Sequence, residues 1–154
     1  MKIVPKEESN KTIRHHVYCS MAVGLVPIPL VDFAGMTGVQ LNMLRVIAKK
    51  YEVPFSTGIA KNLISSLVGG ALPVTVSGPL AASLSKLIPG VGSTVGIVTM
   101  PIVGGATTYA IGKVFVQHFA SGGTFLTFDP DQVREYFTEM LKEGKKVAES
   151  ASKK

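Results

Sequence analysis

Phe33, Met36, Thr37, Gln40, Leu41, Leu44, Ile47, Ala48 and Tyr51 recur at spacings of three and four, which places them on one face of an amphipathic helix. Asp32 stands where an N-cap belongs, and Pro54 limits the helix at its other end. Upstream, a helix is predicted to start near Thr12 and to run through His16, Tyr18 and Ala22. The Pro27-Ile28-Pro29 elbow stops it, because proline removes a backbone donor and restricts the residue before it. Residues 1–11 read as a flexible polar lead.

The pattern then changes. Asn62–Ser85 and Leu87–Gly112 carry no charge, and each exceeds the roughly 20 residues needed to cross a bilayer. Ile88-Pro89-Gly90 reads as a turn between them. The simplest drawing is an apolar helical hairpin over 62–112, with Lys61 and Lys113 at its base and Lys86 near its tip. Pro73, Pro79 and Pro101 interrupt these runs, so a kinked spanning hairpin, a re-entrant hairpin and helices buried in a soluble oligomer all stay open. Gly92, Gly96, Gly104 and Gly112 fall at multiples of four, with Met100 and Thr108 in the gaps. That spacing makes a smooth groove for a neighbouring helix, with Gly69-Gly70 on the first run as its expected complement. Gly122-Gly123 is predicted to end this helix, followed by an extended linker over Thr124–Phe128.

Asp129-Pro130-Asp131-Gln132 is a helix start: Asp129 the cap, Pro130 the first helical position, Gln132 able to close a capping box. Val133, Tyr136, Phe137, Met140, Leu141 and Val147 supply the apolar stripe, and Lys142, Lys145 and Lys146 suit the C-terminal end of the dipole. The expected fold is therefore all-α, a helical bundle with a glycine-rich apolar hairpin flanked by amphipathic helices. Residues 12–128 form the apolar helical domain, and 129–154 an amphipathic helix with a basic tail.

Composition sharpens this. Of 154 residues 46% are apolar and only 17% charged, and the charges crowd toward the two ends. Between Lys61 and Lys113 the only charged side chain is Lys86. Such a distribution suits apolar surface hidden in lipid or in other subunits. The net charge of +6 favours a negatively charged membrane face. Nucleic acid is not expected, because Lys49-Lys50, Lys145-Lys146 and Lys153-Lys154 are separate pairs with no interleaved aromatics. Cys19 has no partner for an internal disulfide. Lys2 to Arg14 followed by Val17–Val31 imitates a signal peptide, but Pro27, Pro29 and Asp32 break the apolar run.

Catalytic chemistry is not expected, nor a metal or a cofactor. Gly105 to Lys113 lacks the spacing and the following hydroxyl of a phosphate loop. His15, His16 and His118 have no carboxylate or cysteine pair to complete a metal site. Cys19 with His15 or His16 lacks an orienting third group. Asp32 reads as a cap, and the six methionines as adaptable filler.

Pro27-Ile28-Pro29-Leu30-Val31-Asp32-Phe33, Thr37, Gln40, Met43-Leu44, Ile47-Ala48, Tyr51 and Phe55 resemble the GTPase-associated domain of unknown function numbered 697, the family of the YcjF-like membrane proteins. Ile88 to Gly92, Thr108 to Gly112 and Phe125 to Phe128 look similar too, so the resemblance covers about residues 12–143. It implies membrane association without enzymatic activity, and a GTPase partner acting in trans. It marks Pro27, Pro29, Asp32, Thr37 and Gln40 as the family's elbow, with a structural role. The leading expectation is a self-associating membrane scaffold on the cytoplasmic face. The alternatives are a soluble, cytoplasmic homo-oligomeric subunit and a regulatory module for a GTPase.

Overall fold

The computed structural model describes residues 4–24, 29–71 and 91–152. Among these residues the chain is all-α, with five helices and no strand. They are α1 (Lys6–Gly24), α2 (Pro29–Lys50), α3 (Thr57–Ala71), α4 (Val91–Ala120) and α5 (Pro130–Ser152). The expected turn at Ile88-Pro89-Gly90, the tip residue Lys86, and Pro27, Pro73 and Pro79 lie outside the described residues.

Several boundaries differ from expectation. The first helix starts at Lys6 rather than Thr12, so most of the polar lead is helical. Pro5 opens it, its carbonyl taking the amides of Glu8 and Ser9 at 3.1 and 3.2 Å. Glu7 and Glu8 sit in the first turn, where the dipole favours acids. Its polar composition hid a face that the bundle covers, since Ser9, Ile13, His16, Val17 and Ser20 are all buried. The second helix starts at Pro29, so Asp32 falls in its first turn and is not the N-cap. Proline at a helix start is favoured by its fixed φ. α4 runs on through Pro101, which the prolines had been expected to divide.

Two helices end in the same hydrogen-bonded motif. At the end of α2, Val53 N–H reaches Ala48 O at 2.8 Å and Glu52 N–H reaches Lys49 O at 3.2 Å. At the end of α4, Gly123 N–H reaches His118 O at 2.9 Å and Gly122 N–H reaches Phe119 O at 3.0 Å. This Schellman pairing needs a left-handed residue. Gly122 supplies it with φ 97°, whereas Glu52 adopts φ 58° despite its side chain. Residues after Gly123 form a turn rather than an extended linker. Thr124 N–H donates to Thr127 Oγ1 at 2.9 Å, which drives Phe125 and Phe128 inward and leaves Leu126 exposed.

Asp129 caps α5 as expected, its Oδ1 taking the Asp131 amide at 3.0 Å. The Gln132 amide bonds to the Asp129 carbonyl at 3.2 Å. The cap carboxylate therefore serves the second helical amide and not the third, as a capping box would require.

α4 is the central element. It runs antiparallel to α1 and α5 and parallel to α2, as the contacts of Gly104, Gly105 and Gly112 show. Its broadest interface is with α5, followed by α1, while α3 packs chiefly on α5. Beyond Lys113 it enters an aromatic core, where Phe115 stacks on Phe128 at 4.3 Å and Phe119 meets Phe125 edge-on at 5.1 Å. Tyr51 and Phe55 close this end of the bundle against Phe119 and Phe125.

Small residues set the helix separations. A β-carbon at Gly144 of α5 would lie 2.7 Å from the Ala106 carbonyl oxygen, and backbone cannot swing aside as a flexible side chain can. Gly144→Ala should therefore destabilise the protein by about 1–3 kcal/mol. Gly38→Ala, in a helix and with nothing within 4 Å, should stabilise it by about 0.4–1 kcal/mol. Urea titration of both variants checks the pair, and a Gly144→Ala protein as stable as its parent would refute the close α4–α5 approach.

Candidate functional site

The expected four-residue face of α4 is where the bundle is tightest, and it faces α1 and α2. Gly104 lies against Met36 and the Ser20 carbonyl, and Gly112 against Ile13 and Met43. Between them Thr108 is fully buried. Its hydroxyl meets Ser20 Oγ at 2.6 Å and accepts from Gln40 Nε2 at 3.2 Å. Three helices are thus joined at one oxygen in an otherwise apolar layer. A hydroxyl with one proton and two acceptor positions can serve both neighbours at once.

This polar seam continues along α1. His16 is 5% exposed. Its Nδ1–H donates to the Thr12 carbonyl at 2.8 Å, which fixes the tautomer and leaves Nε2 to accept from Asn42 Nδ2 at 3.0 Å. Burial holds its pKa below the ordinary histidine value, and neighbouring His15 pushes the same way against the Thr12 hydrogen bond. Further down, Ser9 and Tyr51 pair their hydroxyls at 3.3 Å, and Lys50 Nζ meets Glu8 Oε1 at 2.8 Å. A cleft of about 420 Å³ opens beside His16 between α1 and α2.

On another face, Lys113 is half-buried, donating to Asn10 Oδ1 at 2.6 Å and lying over the Tyr109 ring. Burial lowers its pKa, with Glu143 opposing and Arg14 and Lys6 assisting. Tyr109 donates to Glu143 Oε1 at 2.5 Å. Burial first, and that carboxylate second, raise the phenol well above its ordinary value.

Of the expected elbow residues, Gln40 is buried in the seam and Thr37 is partly buried on the same helix. Pro29 opens α2 and Asp32 lies in its first turn, the surroundings of their side chains being outside the described residues, as is all of Pro27. Gly104 and Gly112 pack within the chain, while the surroundings of Gly69, Gly70, Gly92 and Gly96 are outside the described residues. Sequence reasoning missed Ser20, His16 and Asn42 as seam members. The available signals were the four-residue step from His16 to Ser20 and a hydroxyl on the glycine face at Thr108. Among the described residues no three histidine, cysteine or acidic side chains could hold a metal ion.

These features define a class: an all-helical bundle built on a small-residue central helix, tied by a buried polar seam. The chain belongs to the family described as "Domain of unknown function (DUF697)", whose pattern matches residues 4–146. It is similar to "Magnetosome membrane protein 22" of Magnetospirillum gryphiswaldense, 39% identical over 136 residues, which cover 88% of this chain and 70% of that protein. No solved structure matches it.

Thr108→Val removes the shared oxygen and strands Ser20 and Gln40 in the core, so a loss of about 1–3 kcal/mol is expected. The double variant Ser20→Ala/Thr108→Val should lose less than the sum of the single losses. Strict additivity in urea midpoints would mean the two hydroxyls are not coupled. Acid should also weaken the fold through His16. Its folded pKa lies below its unfolded value of 6.5, so the unfolded chain binds the extra proton first. Stability is then full above about pH 6.5 and falls as pH drops through that value. His16→Gln should show a smaller loss between pH 7.5 and 5.5, and an undiminished loss would clear His16 of the effect.

Proposed function

We propose that this chain is a non-enzymatic membrane-associated module, in which the helical bundle forms the water-facing cover of a charge-poor segment that enters or lies in the bilayer. The observation that carries the reading is the segregation of charge along α4. From Val91 to Gly112 the helix has no charged residue, and Lys113 appears only where the bundle is already assembled. No carboxylate occurs between Glu52 and Asp129, whereas α1 and α5 carry acids and bases on exposed positions. Charges kept out of one stretch and gathered around it are what a lipid boundary selects.

The name of the magnetosome relative supports a membrane setting. Among the described residues no helix is long and apolar enough to cross a membrane. The net charge of +6 supports a bundle that faces anionic lipid on the cytoplasmic side. Self-association through the glycine face is left to Gly92 and Gly96, because Gly104 and Gly112 are occupied by Met36 and Ile13 of the same chain.

The full chain should float with liposomes in a density gradient and resist an alkaline carbonate wash. Val76→Lys with Leu80→Lys should lower the floating fraction at least tenfold, given about 2.5–3.5 kcal/mol per lysine at bilayer depth, without loss of helical circular dichroism. A parent protein that stays in solution as a discrete large particle without detergent would overturn the reading in favour of a soluble assembly.

A further inference from the structure

The uncharged N-terminal part of α4 lies toward one end of the bundle. There Met21 of α1, Met36 of α2 and Ala148 of α5 surround Gly104 and Gly105 of α4. The opposite end holds the aromatic core. On the flank of the bundle, α1 and α5 part to form a cleft of about 310 Å³. Arg14 and Tyr18 line one wall, and Lys146 and Ser150 the other, with Glu143 between.

The charge in this cleft is unbalanced. The Glu143 carboxylate accepts from the Tyr109 hydroxyl. Among the described residues neither Arg14 nor Lys146 has a carboxylate within ion-pair distance. Arg14 and Lys6 also act on half-buried Lys113, adding to the burial that lowers its pKa while Glu143 opposes them. Within the cleft Glu143 is the acid that faces Arg14 and Lys146, and its single negative charge also acts on Lys113. Tyr18, 50% exposed, lines the same cleft as the two cations and brings an amphipathic ring to it.

From this placement we infer that the Arg14–Lys146 cleft binds the phosphate of an anionic phospholipid headgroup at the rim of the membrane-embedded segment. A guanidinium offers paired donors that match phosphate oxygens, an ammonium adds a point charge, and the Ser150 and Tyr18 hydroxyls supply neutral donors. The position favours a lipid source: Lys146 lies two residues before Ala148, which packs at Gly105, and Arg14 seven residues before Met21, so the cleft opens from the middle of α1 toward the end where the uncharged helix extends. Tyrosine is favoured at the level of headgroups. The inference rests on the membrane reading above but concerns lipid choice rather than attachment.

The test measures binding of the full chain to phosphatidylcholine vesicles and to 3:1 phosphatidylcholine:phosphatidylglycerol vesicles. Arg14→Gln with Lys146→Gln should weaken binding to the anionic vesicles about 25-fold, at about fivefold per basic residue. Binding to neutral vesicles should change less than twofold. Lys49→Gln with Lys61→Gln removes the same charge from exposed positions elsewhere and should cost less than threefold. Equal losses in the two double variants would reduce the effect to net charge and overturn the site. A parent that binds neutral vesicles but shows no gain with phosphatidylglycerol overturns it too, leaving membrane attachment intact. A parent that binds neither vesicle brings down the membrane reading and the inference with it. Glycerol 3-phosphate provides the last arm: saturable binding to the parent, lost in Arg14→Gln/Lys146→Gln, without any anionic-vesicle gain, would make the ligand a soluble phosphate and overturn the lipid assignment.

Discussion

The backbone of α4 is approached from two faces by helices that could not come so near to larger residues. Gly104 and Gly112 admit Met36 and Ile13, and Ala106 admits Gly144 of α5. Because these contacts involve carbonyl oxygens and α-carbons as well as side chains, they set helix separation with little tolerance. The rest of the bundle follows from that spacing. Only at this separation can the Thr108 hydroxyl reach Ser20 on one helix and Gln40 on another. Small residues without hydrogen bonds would permit sliding, and hydrogen bonds without small residues would not be reached.

The polar seam supplies specificity that an apolar interface lacks. Leucine-like surfaces pack in many registers at similar energy, but a buried amide or hydroxyl that misses its partner forfeits its hydration for nothing. Ser20, Gln40, Thr108 and His16 are all buried, and together they fix the rotation and height of α1 and α2 against α4. The net gain from each bond is modest, about 0.5–1.5 kcal/mol. The penalty against every other register is what gives the arrangement its uniqueness.

Much of the architecture was legible because it rests on local chemistry. Asp129-Pro130 and Gly122-Gly123 announce a helix start and a helix stop through cap geometry alone, and both stand where the residues said. Gly104 and Gly112 of the four-residue glycine step lie against α1 and α2, which spacing could not name, since it describes one surface and says nothing of which helix arrives there. The start of α1 was missed for a related reason. Lys6 to Lys11 looks solvated in sequence, and only the burial of Ser9 and Ile13 against other helices makes it a helix with an inside. The polar seam was the least visible part. Hydroxyls and amides carry no periodic signal, and the pairs Ser20–Thr108 and Asn10–Lys113 are separated by 88 and 103 positions.

Those separations bear on how the protein is made. Ser20 leaves the ribosome long before the oxygen that will satisfy it. At about 5–20 residues per second, the 88 positions to Thr108 take roughly 4 to 18 s to synthesise. During that interval α1 and α2 have no α4 to close upon, and α5, its broadest partner, is made later still. The order of translation therefore delivers α1, α2 and α3 before the central helix on which the bundle closes, and α5 last. Until α4 is complete, Ser20 and Gln40 have no Thr108 hydroxyl to meet, and the seam closes only when the central helix is in place.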